Sequence, residues 1–343
     1  MFVIYKPGSS LNLDKKFLIE NQIIFSSFEK GHYPLIKIET MNANLLDRFK
    51  AQSDVLELFE GPNYILASKK ISAAFNAFSI GNTQISEDKI VVIAGPCSVT
   101  DDGTLMRIAS RVRSAGASII RGGIFKPRTS PYVFQGIGEA GLGLVDEVEK
   151  SGLPFVSEVM SEEQIEILSP HVSALQVGAR NMQNFNLLKA LGRQDLPVVL
   201  KQGFGCTLIE FLNAAEYILS GGNDKVALVI RGIRSFENVT RFTLDLGAIA
   251  FLKQESRLPI IVDPSHATGR ADLIASTAKG AIAAGADGLM LEVHSDPATS
   301  ISDADQALSL EDFDTLMQQL DKIAGALGKT IVQSPVVRLE ESS

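Results

Sequence analysis

From Lys89 onward the chain alternates short apolar runs with amphipathic stretches, and that rhythm predicts most of the architecture. The apolar runs are Ile90–Ala94, Ser118–Gly122, Pro154–Glu158, Ala174–Gly178, Pro197–Lys201, Val226–Ile230, Pro259–Val262 and Gly288–Glu292. They are short and nearly continuous in apolar character, as strands buried on both faces must be. Between them, apolar residues recur at helical spacing over Leu105–Ala115, Glu163–Leu168, Leu208–Leu219, Leu244–Lys253 and Leu273–Ala284, with Leu310–Leu327 last. Eight strand–helix units over about 250 residues predict a closed parallel (β/α)8 TIM barrel rather than an open sheet. No Gly-x-Gly-x-x-Gly follows the first run, which argues against a dinucleotide-binding sheet.

Before residue 66 the periodicity is different. Phe2–Tyr5, Ile23–Phe28, Pro34–Ile38 and Val55–Phe59 read as strands, with helical spacing over Leu13–Glu20 and Asn44–Lys50. The order βαββαβ predicts a small ferredoxin-like domain over residues 1–65. Residues 66–88 read as a linker with a hairpin turn at Ile80–Thr83, and 89–343 as the barrel. The first domain carries no cluster of catalytic residue types, so control of the barrel is its expected role. His32 and Ser26–Ser27 are candidate ligand contacts there.

Composition narrows the partners. A net charge of −8 argues against a nucleic-acid or anionic-membrane binder. Two cysteines, Cys97 and Cys206, make no disulfide framework and suit a reducing cytoplasm. No run reaches transmembrane length and the N-terminus lacks a signal-peptide layout, so a soluble cytoplasmic protein is expected.

Chemistry gathers where the strands of such a barrel end. The residues there are Cys97, Arg121 with Lys126, Glu158, Arg180, Lys201, Arg231, His266 and Glu292, and Asp303 follows the last strand. Cys97, His266, Glu292 and Asp303 are metal-ligand types, a soft–hard mixture suited to Mn, Fe, Co or Zn and not to calcium. Arg121, Lys126, Arg180, Lys201 and Arg231 exceed what one monoanion needs and imply a small polyanionic, phosphorylated substrate. In the loop after the second strand, Pro127 and Pro131 stiffen a path on which Arg128 and Thr129 can meet a second anion. These residues alone point to a metal-assisted lyase or aldolase.

At the same residues the sequence resembles the 3-deoxy-D-arabino-heptulosonate-7-phosphate synthases, in the subgroup with an N-terminal ferredoxin-like regulatory domain. The matching runs are Ala94–Val99, Arg121–Gly123, Lys126–Tyr132, Phe134–Gly136, Gly178–Asn181, Arg231–Arg234, Asp263–His266, Glu292–His294 and Ser302–Asp303. The resemblance implies a metal-dependent aldol-type condensation of phosphoenolpyruvate with erythrose 4-phosphate, the first step toward the aromatic amino acids. It implies that Cys97, His266, Glu292 and Asp303 hold the metal, Mn2+ foremost. Arg121, Lys126, Arg180, Lys201 and Arg231 would then grip phosphoenolpyruvate, and Pro127, Arg128 and Thr129 the sugar phosphate. Lys126, Glu158 and His266 are the implied catalytic groups. It further implies a homo-oligomer, a tetramer, with Tyr or Phe as an allosteric ligand.

Four positions depart from the family pattern: Ile230 in place of a glutamate before Arg231, Gln202 in place of arginine, Thr100 in place of an acidic residue, and Phe242 in place of asparagine. Two other readings compete. One is the sister 3-deoxy-D-manno-octulosonate-8-phosphate synthase, which uses arabinose 5-phosphate; Pro127 argues against it, because that group carries an extra Ala-Asn there. The other is a non-catalytic sensor of phosphorylated metabolites. Cys206, just past the fifth strand, is expected to be dispensable for metal binding.

Overall fold

The computed structural model describes residues 1–29, 33–61, 63–128 and 130–333. The chain opens with β1 (Phe2–Tyr5), α1 (Asn12–Glu20), β2 (Phe25–Phe28), β3 (Leu35–Ile38), α2 (Ala43–Lys50) and β4 (Val55–Phe59). The strands form one antiparallel sheet in the order β2-β3-β1-β4. Alternation along β1 and β3 sets its two faces. Val3, Tyr5, Ile36 and Ile38 pack with Leu18, Leu45 and Phe49 of the two helices. Phe2, Ile4 and Leu35 turn the other way, into the core that continues around the barrel. Strand β2 starts at Phe25 rather than Ile23 because the Ile23 amide closes the end of α1, donating to Leu18 O at 2.9 Å. The turn at Lys30–His32 lies outside the described residues, and Ser26 and Ser27 stand on β2.

The connecting segment is strapped to the barrel. Its hairpin, β5 (Phe78–Ile80) and β6 (Thr83–Ile85), places Ile80 and Ile85 among the interior side chains of the barrel strands. Glycine is required at the turn: Gly81 has φ +54°, and a Cβ there would lie 2.8 Å from Pro154.

The barrel follows as β7 (Lys89–Gly95), α3 (Asp102–Ser114), β8 (Ile119–Arg121), α4 (Leu142–Lys150), β9 (Phe155–Val159), α5 (Glu162–Leu168), β10 (Ala174–Val177), α6 (Phe185–Leu191) and β11 (Val198–Lys201). It continues with α7 (Leu208–Leu219), β12 (Val226–Ile230), α8 (Leu246–Glu255), β13 (Ile260–Val262), α9 (Pro264–Thr268), α10 (Ala271–Ala283), β14 (Gly288–Glu292), α11 (Leu310–Ala326) and a short β15 (Thr330–Ile331). Strands β7 to β14 pair in parallel in chain order, and β14 returns to β7, so the (β/α)8 barrel closes.

Strand parity divides the interior into two layers. Ile119, Val156, Ala174, Val199, Val229, Ile261 and Met290 fill the inside with their neighbours. Two residues farther on, on the same face of each strand, come Arg121, Glu158, Gln176, Lys201, Arg231, Asp263 and Glu292, all buried. The apolar layer is the core; the layer above it is the floor of the site.

Helices α4 and α6 fill two places between strands for which no helical run is predicted, and the short α9 is not announced by apolar spacing either. Helix α9 begins because the Asp263 side chain accepts the His266 amide and Pro264 takes the first helical position, where its missing N–H costs nothing.

Candidate active site

Cys97 lies just past β7, where the backbones of β7 and β8 approach so closely that a Cβ on Gly95 would sit 2.3 Å from Arg121 O. His266 projects from α9, Glu292 ends β14, and Asp303 lies in the following loop with φ 55°, a left-handed conformation that is unusual for a non-glycine residue. One ligand atom from each of these four residues lies within 4.8 Å of the other three. Cys97 Sγ is 3.1 Å from Asp303 Oδ2 and 3.0 Å from Lys126 Nζ, and His266 Nε2 is 3.6 Å from Glu292 Oε2. The other ring nitrogen, Nδ1, faces Asp263 Oδ2 at 2.9 Å, in ion-pair range although the N–H is not aligned on the oxygen. Asp263 thereby turns Nε2 toward the cluster.

The electrostatics of the four residues suit a cation-binding pocket. Burial pushes the Cys97 thiol up, with Glu292 adding to the effect and Lys126 opposing it. Burial also pushes Glu292 up to about 7, against Arg121 and with Asp303. His266 is driven down to about 3 by burial, against the pull of Asp263, which leaves a neutral imidazole. Glu292 Oε1 is buried without a hydrogen-bond partner. Thiol, imidazole and two carboxylates, with one orphaned carboxylate oxygen, fit a divalent transition-metal ion.

Beside this pocket is a cationic cleft. Its lining includes Arg121, Lys126, Pro127, Arg128, Glu158, Arg180, Lys201, Arg231, His266 and Asp303, so one cleft gathers residues from seven strands or their following loops. Lys201 Nζ binds Asp263 Oδ2 at 2.5 Å. Burial alone would raise the Asp263 carboxyl, but His266 and Lys201 outweigh it and hold the group well below the usual carboxylate range. Arg121 and Arg231 are held less closely: Arg121 Nη1 is 3.7 Å from Glu292 Oε2, in ion-pair range but beyond hydrogen-bond reach. Each is 3% exposed, and the Nε and Nη1 atoms of both lack a hydrogen-bond partner. Burial lowers Arg231 to about 10, still charged at neutral pH. Its guanidinium rests against Phe242 and Phe204, with Cζ at 4.0 and 4.9 Å from the ring centroids. At the rim, Arg128 Nε donates to Phe134 O at 3.0 Å; Thr129 lies outside the described residues.

Glu158 packs its carboxylate against Gly178, where a Cβ would meet Oε1 and make that side chain shift. Of the departures, Ile230 points away from the cleft into the core between strands and helices, and Gln202 is buried with Oε1 unpartnered. Cys206 is half-buried, turns its thiol to Gly203 O at 3.5 Å, and takes no part in the metal cluster. Sequence reasoning missed four polar residues here: Asp263, Gln176, Arg241 and Gln306. Strand parity would have found the first two, since they follow Ile261 and Ala174 on the inward face. The other two are loop residues with no periodic signal.

A closed barrel with a four-donor metal pocket beside buried guanidiniums whose N–H groups lack hydrogen-bond partners is the architecture of a metal-assisted enzyme acting on phosphorylated anions. Among the described residues, no helix is long and apolar enough to cross a membrane. Comparison with known proteins narrows the class. The family model described as "DAHP synthetase I family" matches residues 70–327. Phospho-2-dehydro-3-deoxyheptonate aldolase of Thermotoga maritima is 44% identical over 334 residues, covering 96% of this chain and 99% of that protein. The crystal structure of phospho-2-dehydro-3-deoxyheptonate aldolase (DAHP synthase) from Thermotoga maritima has a TM-score of 0.78 at 38% identity and covers 96% of this chain and 98% of its own. The 2-dehydro-3-deoxyphosphooctonate aldolase of Geobacter sulfurreducens is 27% identical, over 71% of this chain and 96% of its own. This chain belongs to the DAHP synthetase I family, whose members are metal-dependent.

Proposed function

We infer that this chain condenses phosphoenolpyruvate with D-erythrose 4-phosphate and water, giving 3-deoxy-D-arabino-heptulosonate 7-phosphate and phosphate. The observation that carries the reading is the pair Arg121 and Arg231, buried guanidiniums with unsatisfied N–H groups beside the four-donor pocket. An unsatisfied buried donor costs about 1–3 kcal/mol, and a phosphate or carboxylate removes that cost. In this reading Arg121, Lys126, Arg180, Lys201 and Arg231 hold the carboxylate and phosphate of phosphoenolpyruvate, while Pro127, Arg128 and Thr129 hold the aldose phosphate. Cys97, His266, Glu292 and Asp303 hold Mn2+, with Fe2+, Co2+ and Zn2+ the alternatives that the same donors accept. The ion supplies Lewis-acid polarisation of the aldehyde.

The residues of the chain do the rest. C3 of phosphoenolpyruvate bonds to the aldehyde carbon and water adds at C2, its proton passing through Glu158 to the aldehyde oxygen. The C2–O bond to phosphate then breaks, and the C2 hydroxyl gives its proton to the departing phosphate, leaving the C2 ketone. Lys126 supports this as a fixed charge: burial alone would lower its pKa, but Cys97 and Glu158 outweigh burial and raise it. Pro127 fixes the span between Lys126 and Arg128, which favours a four-carbon aldose. Steady-state kinetics with both aldehydes test this. Erythrose 4-phosphate should exceed arabinose 5-phosphate by at least ~10-fold in kcat/KM. Equal efficiency, or preference for the longer sugar, would move the chain to the octulosonate activity of its more distant relatives.

Residues 1–65 are assigned a regulatory role in a cytoplasmic homotetramer, with Tyr or Phe as the inhibitor. Support comes from the lack of a catalytic cluster among its described residues and from the straps between linker and barrel. Removal of residues 1–70 should relieve inhibition.

A further inference from the structure

Two side chains outside the four metal-ligand residues hold two of them in place. Gln306 is 2% exposed and follows Asp303 in the loop after β14. Its Nε2 donates to Glu292 Oε2 at 2.7 Å, and its Oε1 accepts from Arg241 Nη1 at 2.8 Å. The same Arg241 nitrogen donates to Asp303 Oδ1 at 3.0 Å. Both carboxylates of the pocket are therefore gripped from outside, by groups that touch each other. The grip on Glu292 occupies Oε2 and leaves Oε1 without a partner. The grip on Asp303 bears on a residue in left-handed backbone, a conformation that neighbouring contacts must hold.

Arg241 is itself anchored to a third ligand's element. Its amide donates to Thr268 O at 2.9 Å and the Phe242 amide to Ala267 O at 2.8 Å, both carbonyls in the last turn of the helix that bears His266. Phe242 then lies against Arg231, 4.0 Å from ring centroid to Cζ. One dipeptide thus contacts the supports of three metal ligands and a cation of the substrate cleft.

We propose that Arg241 and Gln306 are positioning residues, a bridge that sets the Glu292 and Asp303 carboxylates for the metal and ties their placement to the His266 helix. This rests on the reading of those four residues as metal ligands. A carboxylate left to rotate must be ordered when the ion binds, so the bridge acts on metal affinity before any substrate is present. The test is calorimetric titration of metal-free full-length protein with Mn2+ alone, for the native chain, Gln306→Leu, Arg241→Met and the double variant. Each single variant should bind Mn2+ about 10–100-fold more weakly, as loss of a ligand's outer partner does. Because the two act as one unit, the double variant should lose no more than ~3-fold beyond the worse single. Changes under 10-fold, or losses that multiply in the double variant, overturn the bridge. A role in stability alone would lower Tm and leave the Mn2+ Kd unchanged, which also overturns it. If Gln306→Leu does not fold, Arg241→Met decides the matter, because that side chain is 39% exposed and its replacement leaves the core intact. Absence of Mn2+ binding by the native chain would instead refute the metal-site reading itself.

Discussion

Glu216 provides a test of the physical reasoning far from the metal. It stands on α7 and reaches the linker, where its carboxylate accepts the Leu66 amide at 2.8 Å and the Ala67 amide at 3.1 Å. The facing groups are few: Arg257 Nε donates to Leu66 O at 2.6 Å and also bears on the carboxylate by its charge. Burial outweighs all of these donors and pushes the Glu216 carboxyl up from 4.5 to about 7. The native state therefore binds this proton more tightly than the unfolded chain does. The sign follows: the contribution is full below pH 4.5, declines as pH rises, and is gone above about pH 7. At 1.36 kcal/mol for each pKa unit, the whole effect is at most about 3 kcal/mol. Glu216 also borders a cleft of about 480 Å³ between the N-terminal sheet and α6–α7, which shares no lining residue with the cationic cleft. Water in that cleft screens the group, so about half that amount is expected. The assay is thermal unfolding of the native chain and Glu216→Gln across pH 5 to 8. The variant cannot titrate and it turns an amide donor toward a linker N–H, which lowers its Tm throughout. The difference in Tm, native minus variant, should shrink by a few degrees between pH 5 and pH 8. A difference that is constant or grows with pH would refute the assigned role of burial.

Other outcomes follow from the site. Cys97→Ala should abolish turnover and weaken Mn2+ binding at least ~100-fold while Tm stays within a few degrees, since one ligand leaves a preformed pocket; full activity of exhaustively chelated native protein would contradict it. Arg128→Ala should raise KM for the aldose phosphate at least ~10-fold and that for phosphoenolpyruvate much less, read from steady-state kinetics. Asp263→Asn leaves Lys201 buried without its counter-charge, a loss of about 3–5 kcal/mol by chemical denaturation, and should also weaken Mn2+ binding through the freed His266 ring; a stability change under ~1 kcal/mol would show that the pair is not what keeps Lys201 in place.

The barrel was legible because each of its strands is an apolar run and the runs recur with helical spacing between them. The metal types were legible because Cys97, His266, Glu292 and Asp303 each follow or end such a run. What the linear pattern hid was satisfaction. Lys201 and Arg231 are the same kind of residue in sequence, yet Lys201 is matched by Asp263 and Arg231 keeps two nitrogens without partners. That distinction depends on which strands are neighbours: β11 and β13 flank β12, so Lys201 and Asp263 reach across it. Helix α9 was hidden because only five residues form it, held by a side-chain cap and a proline rather than by an apolar stripe. Gln306 was hidden because a loop glutamine has no period, and its two partners are 14 and 65 residues away.

Fold and chemistry depend on one another through strand parity. The face that carries Ile119, Val156, Val199, Ile261 and Met290 into the barrel also carries Arg121, Glu158, Lys201, Asp263 and Glu292 to its upper layer. Slipping any strand by one residue would turn its apolar side chain and its charged one outward together, the charge into the apolar core between strands and helices. The apolar layer thus selects the register, and the register selects the charges that meet. Closure completes the constraint, because β14 pairs with β7 and brings Glu292 opposite Gly95, two residues before Cys97. An open sheet would leave those two residues at opposite edges. In this chain the carboxylate and thiol of the pocket meet across the seam that closes the barrel, so loss of closure and loss of the metal pocket are one event.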